Sequence, residues 1–257
     1  MMRHRPRRRF GQHFLVDQAV ISAIVEAVAP QAGDLVVEIG PGLGALTRPL
    51  IERLGHLHVI EIDRDIVARL RAAFPPGRLT VHEGDALAFD FAALGSGLRV
   101  VGNLPYNIST PLLFHLAESA AAIRDIHVML QKEVVERMVA APSSSDYGRL
   151  SVMLQYRFAM EPLVAVPPAA FRPPPKVESA VVRMVPFARL PCPARDEAAL
   201  GKIVAAAFSR RRKTPRNALK RYLNAQDFTR LGLDAGLRPQ DLTVQDFVRI
   251  ADEILNR

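Results

Sequence analysis

The stretch Val36–Thr47 reads VVEIGPGLGALT: a short, mostly apolar, β-branched run, then glycine at 40, 42 and 44, then a segment of helical pattern. A strand buried on both faces that passes through a glycine turn into a helix is the opening unit of a parallel α/β sheet. Glycines at such a turn let a ligand press against the backbone beside the helix amino terminus.

The following hundred residues repeat that rhythm. Strand-like runs at 35–39, 57–62, 78–82, 98–102 and 125–131 alternate with helical patterns near 17–29, 45–54, 64–73, 110–119 and 132–140. This alternation predicts a doubly wound, mostly parallel sheet with helices on its faces. Thr110 reads as an N-cap and Pro111 as the first helical residue, which leaves NLPYNIS, 103–109, as a loop at the carboxyl end of the strand LRVVG. After 148 the texture changes. FAMEPLVAVP (158–167) and ESAVVRMVP (178–186) read as two strands, joined by the proline-rich AAFRPPPKV and paired as an antiparallel hairpin at the sheet edge. From about 190 the pattern is helical, with LPCPAR as a linker. The expected organisation is a basic arm and FGQHFL motif (1–15), an α/β domain (16–189) and a small all-helical domain (190–257).

Composition narrows the function classes. The 257 residues are 49% hydrophobic and 23% charged, ordinary for a globular chain with a sizeable core. The single cysteine, Cys192, allows no internal disulfide, and no Cys/His spacing suits zinc, so a reducing, cytoplasmic setting and no metal are expected. No apolar run approaches the roughly 18 residues of a membrane span. The net charge of +8 is concentrated: residues 1–15 hold five Arg and no acid, and 209–221 hold seven Lys or Arg and no acid. Two basic clusters on an otherwise acidic chain are the footprint of a polyanion partner, with Arg7, Arg8, Arg9, Arg211, Arg212, Lys213 and Arg216 as candidate phosphate contacts.

The glycine turn alone leaves the ligand open, since GPGLGA also satisfies a loose dinucleotide fingerprint. Three carboxylates decide between ligands. Glu38 precedes the glycines, where it suits an ammonium group and would oppose a pyrophosphate. Glu61, 21 residues beyond Gly40, suits ribose hydroxyls. Asp85 follows the third strand in EGDAL, where it can accept from an adenine amino group. Together they describe S-adenosylmethionine, with Gly40 and Gly42 beneath it.

NLPY then acquires a use. The exocyclic nitrogen of adenine is a poor nucleophile because its lone pair is delocalised into the ring. Acceptors aimed at its two hydrogens, the Asn103 side-chain oxygen and the Leu104 carbonyl, favour the localised form. Pro105 holds the loop and removes a competing N–H. The Tyr106 ring stacks on the base. FRPPPKV presents Phe171 rigidly as an exposed aromatic beside three prolines.

FGQHFL, EIGPGLGALT, VIEID, GDAL, GNLPYNIST, FRPPPKVESAVV and RRKTPRNAL occur in this order across nearly the whole chain. The set closely resembles the KsgA/RsmA small-subunit ribosomal RNA adenine dimethyltransferases. The resemblance implies a Rossmann-like α/β methyltransferase with a seven-stranded sheet and a helical C-terminal domain. It implies transfer of two methyls from S-adenosylmethionine to N6 of each of two adjacent adenosines near the 3′ end of 16S RNA, in the small subunit or its precursor, by a monomer. It also implies cofactor contacts from His13, Leu15, Gly40, Glu61, Asp85 and Asn103, and stacking of Phe171 on the flipped adenine opposite Tyr106. His13 stands where the family often has Asn, a position from which either side chain can donate a hydrogen bond. The related large-subunit dimethyltransferases, an assembly factor that binds more than it catalyses, and a nicotinamide oxidoreductase are the other readings.

Overall fold

The computed structural model describes residues 12–209, 218–219, 221–234 and 236–255. Within them the chain divides into two compact units, 12–135 with 160–186, and 136–159 with 187–255.

The first unit is the sheet. Strands β1 (Phe14–Leu15), β2 (Val36–Ile39), β3 (Leu57–Glu61), β4 (Leu79–Glu83), β5 (Leu98–Asn103) and β6 (Ile123–Gln131) are followed by β7 (Phe158–Val166), β8 (Phe171–Arg172) and β9 (Ser179–Pro186). Seven of them form one sheet in the order β4-β3-β2-β5-β6-β9-β7. From β4 through β6 every pairing is parallel, and β9 runs antiparallel to β6. Between β2 and β5 the strand order reverses, which opens a crevice at the carboxyl ends of those two strands.

Helices α1 (Gln18–Val28), α2 (Thr47–Leu54) and α3 (Arg64–Ala73) bury Ile24, Val25, Leu50, Ile51, Ile66 and Leu70 against Val36, Val59 and Val101 of the sheet. Asp17 and Asp63 cap α1 and α3 by accepting from backbone N–H groups inside the first turn. Helix α4 (Ser109–Glu118) begins two residues earlier than Thr110 would place it as a cap. The Ser109 hydroxyl donates to the Tyr106 carbonyl at 3.1 Å and carries the turn into the helix. Pro111 remains in the first turn, where its missing N–H costs nothing.

At the opposite end of the sheet Arg99 is buried. It donates to Asp125 at 2.9 Å and to Asp34 at 2.7 Å, tying the amino ends of β5 and β6 to the entry of β2. Burial opposes its charge, but the two carboxylates raise its pKa further, so it stays ionised.

The expected edge hairpin is present in altered form. β7 and β9 are neighbours at the sheet edge, but the proline-rich connection between them is not a plain linker. Its Phe171–Arg172 pairs antiparallel with Phe14–Leu15 in a separate two-stranded sheet.

The second unit is helical and has its own core, in which Tyr147, Val152 and Tyr156 pack with Leu200, Ile203, Val204, Phe228 and Phe247. Residues 136–159 therefore belong with the C-terminal helices, whereas the expected boundary near 190 left them with the sheet. Among the described residues no helix is long and apolar enough to cross a membrane.

Gly102 permits a close approach between β5 and β2. A Cβ there would lie 2.6 Å from the Ile39 carbonyl oxygen on β2, an atom that cannot move without opening the β2–β5 pairing. Gly102→Ala should therefore cost about 1–3 kcal/mol by overpacking, a fall of several degrees in thermal midpoint that calorimetry would detect.

Candidate active site

The crevice beyond β2 and β5 is a cleft whose walls come from four places: Gln12–Leu15, the glycine turn with Glu38, the end of β3 at Glu61 and Ile62, and Asn103–Tyr106. The parallel register sets Ile39 beside Gly102, so the glycine turn and NLPY leave the sheet side by side. A Cβ on Gly40 would lie 3.7 Å from the Asn103 carbonyl oxygen. Gly42, at φ +54°, lies under the Phe14 ring, which would stand 3.0 Å from any Cβ there.

Two carboxylates line this cleft. Glu38 is 1% exposed, and its Oε2 accepts from the Thr47 hydroxyl at 2.6 Å. Burial pushes its pKa up to about 8; the Thr47 hydrogen bond opposes this and nearby Glu61 adds to it. Glu61 is 7% exposed and accepts from the Asp63 N–H at 2.8 Å. Burial raises its pKa also, against the pull of backbone N–H groups of Asp63, Gly42 and Ile62. Among the described residues no Lys or Arg lines the cleft. These walls suit a cationic ligand with hydroxyl donors.

The opposite wall is a hydrogen-bonded chain that joins three segments remote in sequence. Asn103 Nδ2 donates to the His13 carbonyl at 2.9 Å, which leaves the amide oxygen as the acceptor of that side chain. His13 Nδ1 lies 2.8 Å from the Pro173 carbonyl; a carbonyl only accepts, so this nitrogen carries the hydrogen. The His13 and Tyr106 rings lie 5.7 Å apart and 23° from parallel. The Tyr106 hydroxyl is 2.6 Å from the Ser179 hydroxyl, itself fully buried at the start of β9. Burial raises the Tyr106 pKa despite that bond, so the phenol stays neutral.

The cleft gathers most of the expected residues: His13, Leu15, Glu38, Gly40, Gly42, Glu61, Asn103, Leu104, Pro105 and Tyr106 all line it. Phe171 does not, and its expected exposure is corrected. It is 0% exposed, opposite Leu15 in the two-stranded sheet and within the core that holds Ile21 and Ile24. A phenylalanine beside prolines reads as a presented ring, but strand pairing with Leu15 turns it inward. Asp85 is exposed beyond β4 and outside the cleft lining, with Oδ1 accepting from the Leu87 N–H at 2.9 Å as a cap. Arg7, Arg8, Arg9, Arg211, Arg212, Lys213 and Arg216 lie outside the described residues.

Sequence reasoning missed Gln12, which donates to Asp63 at 3.1 Å from the cleft wall, as well as Thr47 and Ser179. Their only sequence signal was membership of a motif already read for other residues.

Fold and cleft together define a Rossmann-like methyltransferase. Comparison with known proteins makes this particular: the family model described as ribosomal RNA adenine dimethylase matches residues 3–256, and the chain belongs to that family. It is 63% identical over 254 residues to a ribosomal RNA small subunit methyltransferase A from Thiobacillus denitrificans, covering 99% of this chain and 100% of that protein. Among solved structures, a dimethyladenosine transferase from Plasmodium falciparum is 25% identical with a TM-score of 0.78, covering 93% of this chain and 96% of that one. The 23S rRNA methyltransferase ErmE is 26% identical with a TM-score of 0.71, covering 94% and 99%.

The raised pKa of Glu38 makes ligand-free stability depend on pH. A folded-state pKa of about 8 against an ordinary 4.5 means that its contribution is full below about 4.5 and is lost as pH rises through 8. Glu38→Gln should therefore flatten the fall in thermal midpoint between pH 5 and 9, with the largest gain over wild type at the alkaline end. Parallel curves for the two proteins would place the titration elsewhere.

Proposed function

We propose that the protein transfers methyl groups from S-adenosylmethionine to N6 of two adjacent adenosines near the 3′ end of small-subunit 16S ribosomal RNA, giving N6,N6-dimethyladenosine during late assembly of the subunit. The observation that carries this reading is one cleft with two unlike walls. On one side are buried carboxylates with no basic partner among the described residues, and on the other an amide oxygen and an aromatic ring held in place by hydrogen bonds. The 63% identity to a small-subunit enzyme, against 26% to a large-subunit one, favours the small subunit as target.

S-adenosylmethionine, when bound, supplies an electrophilic methyl on a sulfonium. Glu38 faces its ammonium end, Glu61 accepts from its ribose hydroxyls, and Asp85 offers its second oxygen to the adenine amino group. On the substrate side, the Asn103 amide oxygen and the Leu104 carbonyl accept the two hydrogens of the target amine and hold its lone pair toward the cleft. Tyr106 stacks on the extruded base. No general base is needed before methyl transfer, so the rate rests on positioning and preorganised dipoles. The two basic clusters contact RNA phosphates and supply most of the affinity.

Single-turnover methylation of unmethylated small subunits, at saturating cofactor and subunit, tests this reading. Asn103→Ala should lower the rate by about 10²- to 10³-fold, as loss of one preorganised polar group does, while subunit binding persists. Tyr106→Phe keeps the ring but frees it from Ser179 and should cost roughly 2- to 10-fold, the worth of one hydrogen bond. Ser179→Ala should match it, and the double variant should be no worse than either, because both remove the same contact. A near-wild-type rate for folded, cofactor-bound Asn103→Ala would remove the proposed role of NLPY.

A further inference from the structure

Thr47 sits behind Glu38 and has no part in the chemistry described above. Its hydroxyl donates to Glu38 Oε2 at 2.6 Å. Thr47 is fully buried and is not among the residues that line the cleft, so it reaches a ligand only through Glu38. The contact engages one carboxylate oxygen and leaves Oε1 without a partner among the described residues.

The groups around this pair constrain its charge. From β3 come Glu61, also buried, and then Asp63, whose oxygens accept from the Asp65 N–H and from Gln12. From the residues before β1 comes His13, whose Nδ1 donates to the Pro173 carbonyl. From β5 comes the neutral amide of Asn103, already donating to the His13 carbonyl. Beside Thr47 on α2, Arg48 is exposed, with its guanidinium 5.1 Å from the Phe74 ring centre and outside the cleft lining. Two carboxylates buried in one cleft with no fixed cation oppose each other's ionisation. Burial therefore favours the acid form of Glu38, and the Thr47 hydrogen bond favours the ionised one. An arriving cation would tip that balance.

We infer that Glu38 takes up the ammonium end of S-adenosylmethionine by releasing its proton to solvent, and that Thr47 is the positioning residue for this exchange. The inference rests on the cofactor reading proposed above and adds to it a proton and a residue. A hydroxyl suits the role because it can accept from a carboxylic acid and donate to a carboxylate from the same place. As the first residue of α2, Thr47 is fixed by the helix and presents Glu38 in one orientation in both forms.

Calorimetry of cofactor binding to the full-length protein tests this at pH 6–7, below the value of about 8 at which a free α-amino group loses its own proton. Titrations in two buffers of different ionisation enthalpy count the protons exchanged. Wild type should release about 0.5–1 proton per cofactor, and log K should climb by the same amount per pH unit. Glu38→Gln should bind more weakly, release no proton and show a flat profile over that range. Thr47→Val should bind about 3- to 10-fold more weakly at pH 6–7, the worth of one hydrogen bond. Its deficit should shrink toward pH 9, where Glu38 is ionised before the cofactor arrives. Thr47→Ser keeps the hydroxyl and should restore both the affinity and the pH profile. Proton release that persists in Glu38→Gln would assign the exchange to Glu61 or His13 and overturn the inference. A Thr47→Val deficit that is equal at every pH, or shared by Thr47→Ser, would reduce Thr47 to a packing role. Wild type that binds the cofactor without releasing a proton would sink this inference alone, whereas wild type that binds none would sink the cofactor reading itself.

Discussion

The contact on which this molecule depends is backbone against backbone: the α-carbon of Gly102 on β5 lies so near the Ile39 carbonyl on β2 that no side chain fits between them. Sheet order makes this the place where the chain turns from one half of the sheet to the other. Because the two strands are in register there, the glycine turn after β2 and NLPY after β5 emerge side by side. One turn carries the wall suited to a cationic ligand, the other the wall suited to an aromatic amine. A looser pairing would separate the two halves of the reaction.

Electrostatics then set the cost and the selectivity of the cleft. Among the described residues Glu38 and Glu61 are buried without a basic partner, an arrangement that suits a cationic ligand. The facing wall is rigid for a different reason. Asn103, His13, Pro173, Tyr106 and Ser179 form a polar chain across segments that only tertiary folding brings together. An enzyme that works by orienting a weak nucleophile needs such a wall, since its rate comes from geometry already in place before the substrate arrives.

Much of this was legible in the sequence, and what was not has physical causes. The strands and helices of the parallel half announce themselves because a strand buried on both faces must be continuously apolar and an amphipathic helix must repeat every 3.6 residues. Glu38, Glu61 and Asn103 were singled out for their residue types at strand ends, and the fold brings all three to one cleft. Phe171 and Ser179 were misread or missed because their roles are set by partners more than 70 residues away, Leu15 and Tyr106, with no local signature. Residues 136–159 follow the sheet in sequence but share their core with helices that begin about 40 residues downstream, at Glu197, and hydrophobic periodicity says nothing of which core a helix joins. Asp85 satisfies the pattern of a helix cap and of a ligand contact equally, and here its Oδ1 caps the short helix that follows.

The central claim is that this cleft brings a methyl donor to the amino group of extruded adenines in small-subunit RNA. Mapping the methyl groups after incubating unmethylated small subunits with the protein and isotopically labelled S-adenosylmethionine tests it most directly. The account predicts label only on N6 of two adjacent adenosines near the 3′ end of the 16S RNA, two methyls on each. Label on a ring nitrogen, on a ribose hydroxyl or on a base other than adenine, or its absence from the RNA, would contradict it.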